Sequence, residues 1–356
     1  MSGQTALGAV PPPSSPDADA LWRAVDALVD RSPSLDDLRS HRLELFAARR
    51  WRAKGLEVPA ELVEEERRAA VSVLAAPVLL ARVLAAYDGP VVPLKGPDVA
   101  ALYPEPLLRP FHDLDLLVAD APAAQAGLLA AGFVEVGDPA AYVDIHHLRP
   151  LQSPGLPLVV EIHSRPKWVD GVQPPPGTDA LLAAAVPASG SLRRLPPAHH
   201  ALLLAAHSWA HEPLRRLRDM IDVAVTADAA GRPEVAALAR EWGVERLWSV
   251  TIATVDAVLR GTPPPPAVRT WAQNLEQARE RTVLENHLQR WLSDFAVMPA
   301  GAALARVPRT VAREVLPARA EGWADKLLRT IRALRNASHP RSRHHDDLRR
   351  RRRGLD

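Results

Sequence analysis

The sequence predicts an α+β protein in which one module of short strands and helices lies between two helical regions. Apolar residues recur at helical spacing before residue 88 and again after Pro196, whereas short apolar or alternating runs fill 91–165. The chain is 47% hydrophobic but only 4% aromatic, and its apolar residues are mainly Ala, Leu and Val, a composition that favours helices. With 356 residues it can bury the cores of two or three domains.

The N-terminal part is predicted to be a disordered leader followed by helices. Residues 1–16 are rich in Pro and Ser and contain no Lys or Arg, so they do not have the pattern of a secretory signal. The sequence Ser15-Pro16-Asp17 is typical of a helix start, with a capping hydroxyl, an early proline and an acid in the first turn. The region 17–88 is then predicted to hold three helices, at 17–29, 35–53 and 59–87.

The mixed module is predicted to span 89–175. Asp88-Gly89-Pro90 ends the helical region, and the following segment alternates strand and helix patterns. Strands are predicted at 91–94, 111–118, 133–136 and 158–163, with helices at 97–103 and 121–131.

The remainder, 176–335, is predicted to be helical, and 336–356 to be a disordered basic tail. Four helices are indicated by periodicity, at 197–210, 214–229, 233–258 and 268–296.

The charge is divided along the chain, and this division limits the partners we expect. The formal net charge is +2, but residues 326–356 hold eleven Lys and Arg against three Asp, which leaves 1–325 with an excess of acids. We therefore expect no nucleic-acid partner, except one bound through the basic tail. A solvated face with a solubilising tail is the alternative interpretation of these cations.

Other classes of protein are excluded by what the sequence lacks. There is no cysteine, so disulfides, thiolate metal sites and thiol nucleophiles are excluded, and a cytoplasmic location is expected. The longest uncharged apolar run, between Arg68 and Arg82, contains Pro77 and is short for a membrane span, so we expect no membrane association.

Three carboxylates are candidate metal ligands and catalytic residues. Asp113 and Asp115 are two residues apart on a predicted strand, so their side chains point to the same face. Two adjacent carboxylates repel each other unless a cation lies between them. Glu161 lies on another predicted strand, and the three acids would converge on Mg²⁺ if the two strands were neighbours.

The other half of the candidate site precedes these acids. Lys95-Gly96 follows a predicted buried strand, and Pro97 begins a helix, so a phosphate could approach the glycine backbone and the helix N-terminus. Lys95 and Arg109 would add cationic contacts. A phosphate cradle beside a carboxylate cluster is what phosphoryl or nucleotidyl transfer requires.

These motifs resemble an uncharacterised nucleotidyltransferase family of the DNA-polymerase-β-like superfamily. The resemblance is carried by Leu94-Lys95-Gly96, by Leu108-Arg109-Pro110 with Asp113-Leu114-Asp115-Leu116-Leu117-Val118, and by Val160-Glu161-Ile162-His163. It extends over roughly 90–230, where His207 and the segment 217–222 resemble later elements of the family.

The resemblance implies a small mixed β-sheet flanked by helices, and transfer of a nucleoside monophosphate from an NTP with Mg²⁺, or Mn²⁺ in its place. Asp113, Asp115 and Glu161 would be catalytic metal ligands, Lys95, Gly96 and Arg109 would hold the phosphates, and the helical region would bind the acceptor. The chain has Lys-Gly where the wider superfamily has Gly-Ser, so one hydroxyl contact to the phosphates is missing.

Structural roles are the alternatives for these residues. Asp113 and Asp115 could form a solvated strand edge, Lys95 could pair with Asp113, Arg109 could make a structural ion pair, and Glu161 could pair with an arginine. His163, which shares a strand face with Glu161, is interpreted as a scaffold histidine.

Two further functions remain open. One is a catalytically silent regulatory or antitoxin-like binding partner with the same fold. The other is a natural-product tailoring nucleotidyltransferase, which would differ from the main hypothesis only in using a peptide or a glycoside as acceptor.

Overall fold

The computed structural model describes residues 16–174, 177–210, 212–317 and 321–342. The predicted leader lies outside the described residues, apart from Pro16, and so does the basic tail beyond Ser342.

Helices account for most of the described chain. The sixteen α-helices among the described residues are α1 (Pro16–Arg31), α2 (Leu35–His41), α3 (Glu44–Ala53), α4 (Ala60–Ala86), α5 (Pro97–Ala100), α6 (Ala121–Ala130), α7 (Thr178–Ala184), α8 (Pro197–Ala210), α9 (Leu217–Ala230), α10 (Arg232–Glu241), α11 (Glu245–Arg260), α12 (Pro266–Thr270), α13 (Gln273–Glu276), α14 (Val283–Val297), α15 (Ala300–Val315) and α16 (Trp323–Arg335).

A single mixed sheet lies among these helices. Its seven strands are β1 (Val91–Pro93), β2 (Asp113–Val118), β3 (Val134–Glu135), β4 (Leu151–Gln152), β5 (Val159–His163), β6 (Val186–Ser189) and β7 (Leu192–Arg194). They are arranged in the order β3-β4-β5-β2-β1-β7-β6. The central strand β2 pairs antiparallel with β1 and parallel with β5. The α+β class and the mixed sheet are therefore confirmed.

The sheet is covered on both faces, and alternation along β2 explains why. Leu114 and Leu116 point into one core with Leu79 of α4 and Leu128 of α6. Leu117 points the other way, into the larger core formed with α8 and the helical bundle. Asp113 and Asp115 share the face of Leu117, so the bundle covers the carboxylates.

Three of the predicted helices are broken in the structure. The segment predicted as one helix at 35–53 is divided at Arg42, which has φ +61° and whose amide donates to the carbonyls of Leu38 and Arg39. Gly243, with φ +68°, divides the segment 233–258. The segment 268–296 contains three helices, of which α14 begins at a capping box formed by Thr282 and Glu285. In each case the helical spacing of apolar residues continues through the break in the sequence. The backbone turns there because tertiary packing stabilises the turn.

Two regions extend beyond their predicted boundaries. The strands β6 and β7 lie in the part predicted to be helical, so the sheet continues past residue 175. In the part predicted to be a disordered tail, residues 336–342 lie along α14, where the amide of Val283 donates to the carbonyl of His339 over 3.1 Å.

One described helix, α4, is long and apolar enough to span a membrane by length and composition alone. A third of its most apolar window is buried, and Leu79 and Val83 pack in the core beneath the sheet. The core helix of a soluble protein can have the same length and composition, so these two properties alone are weak evidence for a membrane span.

Candidate active site

The two aspartates lie at the start of the central strand and point to the same cavity. The side chain of Asp113 is 30% exposed, whereas that of Asp115, one pleat further into the sheet, is 3% exposed. The amide of Leu94 donates to the carbonyl of Asp115 over 2.9 Å, which ties the end of β1 to this strand. The prediction that both carboxylates share a face agrees with this geometry.

Glu161 meets Asp115 across the parallel pair β2–β5. The register places Asp115 opposite Glu161 and Leu117 opposite His163. One ligand atom from each of Asp115, Glu161 and His163 lies within 4.8 Å of the other two. Asp113 is outside this group and is connected to it through Lys95.

Lys95 bridges the two aspartates. Its Nζ lies 3.2 Å from Oδ2 of Asp113 and 3.1 Å from Oδ2 of Asp115. Burial disfavours the charged ammonium, but the negative charges of Asp115 and Asp113 outweigh this penalty and raise the pKa of Lys95. Lys95 therefore pairs with Asp113, as its structural interpretation predicts. A contact between Lys95 and a phosphate stays a prediction.

His163 is the second basic side chain of the cluster. Its side chain is 4% exposed, and Nε2 lies 3.1 Å from Oδ1 of Asp115 and 3.7 Å from Oε2 of Glu161. Burial opposes protonation, but hydrogen bonding to Asp115 and Glu161 prevails and raises the pKa of His163. The pKa of Asp115 is correspondingly low, because contacts with His163 and Lys95 outweigh the cost of burying the carboxylate. His163 thus contributes directly to the cluster rather than only to the scaffold.

The turn from β1 to α5 brings Gly96 beside the aspartates. Gly96 has φ +76° and ψ −123°, a conformation that requires glycine. A Cβ at this position would lie 3.6 Å from the carbonyl oxygen of Asp113, so the backbone passes close to β2. Asp98, in the first turn of α5, pairs with Arg194 at 3.3 Å, so part of its negative charge is balanced there.

Arg109 is held by a buried ion pair with Asp222 of α9. Its Nε and Nη2 each donate to a carboxylate oxygen of Asp222 over 2.7 Å, and Nη1 donates to the carbonyl of Gly96 over 3.3 Å. Tyr103 donates to the same carboxylate over 2.6 Å. Arg109 therefore forms a structural ion pair, as its alternative interpretation predicts, and it also hydrogen-bonds the backbone of the Gly96 turn. A contact between Arg109 and a phosphate remains a prediction.

Two adjoining cavities open on either side of Lys95 and Asp113. The first, of about 220 Å³, is called here the arginine pocket because Arg42, Arg216 and Arg218 line it beside Gly96. The second, of about 460 Å³, is called the histidine pocket. Four of its lining residues are histidines, and it also holds the three acids; its polar lining includes His146, His147, His163, His207, Asp113, Asp115, Glu161 and Lys167.

Two of the lining residues have pKa values well below their ordinary ones. Burial and the neighbouring histidines His163 and His147 lower the pKa of His146 to about 3. Burial and the positive charge of Lys95 lower the pKa of Lys167 to about 8, even though Glu161 and Asp115 oppose this shift. The histidine pocket therefore offers neutral imidazole and a weakly basic amine close to the carboxylates.

Sequence analysis missed some of these residues. Lys167 follows β5 closely, so its position after the Glu161 strand was an available signal. Arg42, Arg216 and Arg218 belong to helical regions distant in sequence, and only the tertiary structure brings them to Gly96.

The cluster suits a hard divalent cation. The carboxylate of Asp115 is buried, and its partners among the described residues are the side chains of Lys95 and His163, with no backbone amide donating to it. The oxygens of Asp113, Asp115 and Glu161 are the ligands that Mg²⁺ and Mn²⁺ prefer.

Comparison with known proteins places the greater part of the chain in a protein family. A family model described as "Uncharacterised nucleotidyltransferase" matches residues 30–260, which include both aspartates, Glu161 and all three arginines of the arginine pocket. The chain matches none of the curated proteins and none of the solved structures.

Proposed function

Because the chain belongs to this family of uncharacterised nucleotidyltransferases, we propose that it transfers a nucleoside monophosphate from an NTP to an acceptor in a reaction dependent on Mg²⁺ or Mn²⁺. The observation that carries the proposal is that Asp115 and Glu161 lie opposite each other across β2 and β5, with Asp113 lining the same pocket and the Gly96 turn beside Asp113. An NTP donor and the absence of cysteine fit a cytoplasmic location.

The reaction is a displacement at the α-phosphorus. A lone pair of an acceptor oxygen or nitrogen forms the new bond to phosphorus, the bond to the bridging oxygen breaks, and pyrophosphate leaves with that electron pair. A bound divalent cation would align the phosphates and offset the developing negative charge. The chain would hold it through the carboxylates of Asp113, Asp115 and Glu161.

The remaining roles follow from position. Glu161 lies in the histidine pocket, away from Gly96, and would accept the proton of the acceptor. Lys95, freed from the aspartates when the cation binds, would turn to the phosphates. We place the acceptor in the histidine pocket, where Leu203, Leu204 and His207 of α8 form part of the wall. Its chemical class stays open between a small molecule, a peptide and a protein side chain.

A second candidate function has one observation in its favour. Lys95 and His163 already form ion pairs with Asp115, so the side chains of this chain offset part of the negative charge of the cluster. A catalytically silent binding partner, regulatory or antitoxin-like, would keep this arrangement. A tailoring enzyme acting on a natural product would instead share the mechanism proposed above.

Nucleotide-dependent stabilisation tests the proposal. We expect one or more NTPs with Mg²⁺ to raise the thermal unfolding midpoint of the wild type, because a ligand that binds only the folded state stabilises it by about 2.7 kcal/mol at a hundredfold excess over Kd. The shift should vanish in the Asp113→Asn/Asp115→Asn double variant.

The matched control is Asp179→Asn/Asp228→Asn, which changes the same number of acids on helices away from the cluster and should keep the shift. A folded wild type that is not stabilised by any of the four NTPs with Mg²⁺ or Mn²⁺ would contradict donor binding and favour the silent partner. Release of pyrophosphate in the presence of candidate acceptors then identifies the acceptor.

A further inference from the structure

The arginine pocket is a cavity with more positive than negative charge, and its lining residues come from five separate segments of the chain. Arg42 ends α2, Arg216 caps the start of α9, Arg218 lies in its first turn, and the Gly96 turn closes the pocket beside Asp113. All three arginines are half-buried rather than fully solvated.

None of the three arginines forms an ion pair with a carboxylate in the described parts of the chain. Arg218 donates from Nη1 to the carbonyl of Pro110 over 3.1 Å, and its buried Nε has no hydrogen-bond partner. The two other side-chain cations of the pocket, by contrast, form ion pairs: Arg109 with Asp222, and Lys95 with the aspartates.

The position of two of these arginines is electrostatically unfavourable in the absence of an anion. Arg216 and Arg218 lie at the N-terminus of α9, where the partial positive charge of the helix disfavours cations. Asp219 is the nearby acid; burial raises its pKa, although the charges of Arg218 and Arg216 oppose this shift. Burial and the charges of Arg215, Arg42 and Arg218 lower the pKa of Arg216, although Asp219 opposes this shift. An anion of high charge would relieve this repulsion.

We infer that the arginine pocket is the polyphosphate subsite of the proposed nucleotidyltransferase, in which Arg42, Arg216 and Arg218 bind the β- and γ-phosphates and then the pyrophosphate product. This inference rests on the proposed function. The pocket adjoins Asp113 and Gly96, whereas Glu161 lies in the other cavity, so donor and acceptor would approach the carboxylates from opposite sides. The guanidinium groups would replace the hydroxyl contact that is absent from the Lys-Gly turn.

Binding of inorganic pyrophosphate tests the subsite without turnover. Calorimetric titration, with and without Mg²⁺, compares wild type with Arg42→Gln, Arg216→Gln and Arg218→Gln. We expect each variant to weaken pyrophosphate binding about tenfold, because each removes a charge-assisted contact. Arg216→Lys, which keeps the charge but loses the planar fork, should retain part of the affinity.

The matched control is Arg215→Gln, since Arg215 adjoins Arg216 in sequence but its guanidinium pairs with Glu212 outside the pocket. It should bind pyrophosphate like the wild type. Circular dichroism and unfolding midpoints verify that the variants are folded.

The outcomes separate this inference from the proposed function. Loss of pyrophosphate binding in the three variants supports the subsite even if no nucleotidyl transfer is found. If all three variants bind pyrophosphate and NTP as tightly as the wild type does, the inference is overturned. If those variants instead lost only the binding of an anionic acceptor, the pocket would belong to the acceptor, which also overturns the assignment.

Discussion

Lys95 is the residue that connects the two aspartates of the site. Its ammonium lies within 3.2 Å of the carboxylate oxygens of Asp113 and Asp115. A divalent cation bound by these two carboxylates would occupy the same space. A lysine at this position keeps two nearby negative charges compatible with folding before any ligand arrives. It also competes with the cation that the reaction is proposed to need.

We expect Lys95→Gln to tighten Mn²⁺ binding about tenfold in the absence of nucleotide, because the competing ammonium is removed, and to weaken NTP binding. Titration followed by electron paramagnetic resonance measures free Mn²⁺ directly. Lys54→Gln, which removes a lysine paired with the distant Asp30, is the control. Unchanged or weaker Mn²⁺ binding in Lys95→Gln would show that Lys95 does not share the cation site.

At the scale of elements, the start of α9 is fixed by a buried histidine from α2. His41 is 1% exposed; its Nε2 lies 2.7 Å from the carbonyl of Arg279, and its Nδ1 accepts from the amide of Leu217 over 3.2 Å. Both contacts together require the neutral ring with the proton on Nε2. His41 therefore sets the distance between Arg42 and the arginines of α9.

Acidification should weaken this junction. Burial lowers the pKa of His41 to about 4, so the unfolded chain takes up a proton near pH 6.5 while the folded protein does not. The free energy of unfolding should therefore fall by about 3 kcal/mol from this residue as the pH drops from about 6.5 to about 4. Urea unfolding across this range compares wild type with His41→Gln, in which this part of the pH dependence should disappear.

His287→Gln, which removes a histidine paired with Glu314 far from this junction, is the control and should keep the pH dependence of His41. Parallel curves for wild type and His41→Gln would contradict the assignment. Other buried histidines add to the total slope in both proteins, so the difference between the curves isolates His41.

At the scale of the whole molecule, the ion pair of Arg109 and Asp222 joins the sheet module to the helical bundle. Arg109 lies just before β2, Asp222 lies in α9, and both side chains are about 5% exposed or less. Breaking a buried pair leaves one charge without compensation, which is more costly than losing an exposed pair.

Asp222→Ala should lower the free energy of unfolding by about 3–5 kcal/mol, because the buried guanidinium of Arg109 would lose its partner. Asp228→Ala, in the same helix, removes a carboxylate that pairs with Arg260 near the surface and should cost about 1 kcal/mol or less. Urea unfolding of the two variants gives the comparison. Equal losses would mean that the pair contributes no more than a surface contact.

The sequence predicted the central features because they follow from local patterns. Alternation in 113–118 and 158–163 reveals strands, and two acids spaced by two residues must share a face. The pairing of β2 with β5 stayed conditional, since no local signal specifies which strands are neighbours. The break at Arg42 was missed because no glycine marks it, and packing of the buried Leu43 stabilises the turn.

The edge strands β6 and β7 were also missed. All four residues of β6 are exposed, so no alternation of apolar and polar residues distinguishes them from a loop. The arginine pocket was missed for a related reason: Arg42 and Arg216 are separated by more than 170 positions, and helical periodicity describes one helix at a time.

The parallel pairing of β2 and β5 also has a consequence for the order in which the chain is made. Asp115 and Glu161 are separated by 46 residues, and α9 follows the second of them by more than 50. During synthesis, Arg42 and the acids of β2 leave the ribosome first, Glu161 later, and Arg216 and Arg218 of α9 later still. A chain that ends before α9 therefore presents the carboxylates without two of the three arginines of the arginine pocket, and nucleotide affinity would mark chains that extend through α9.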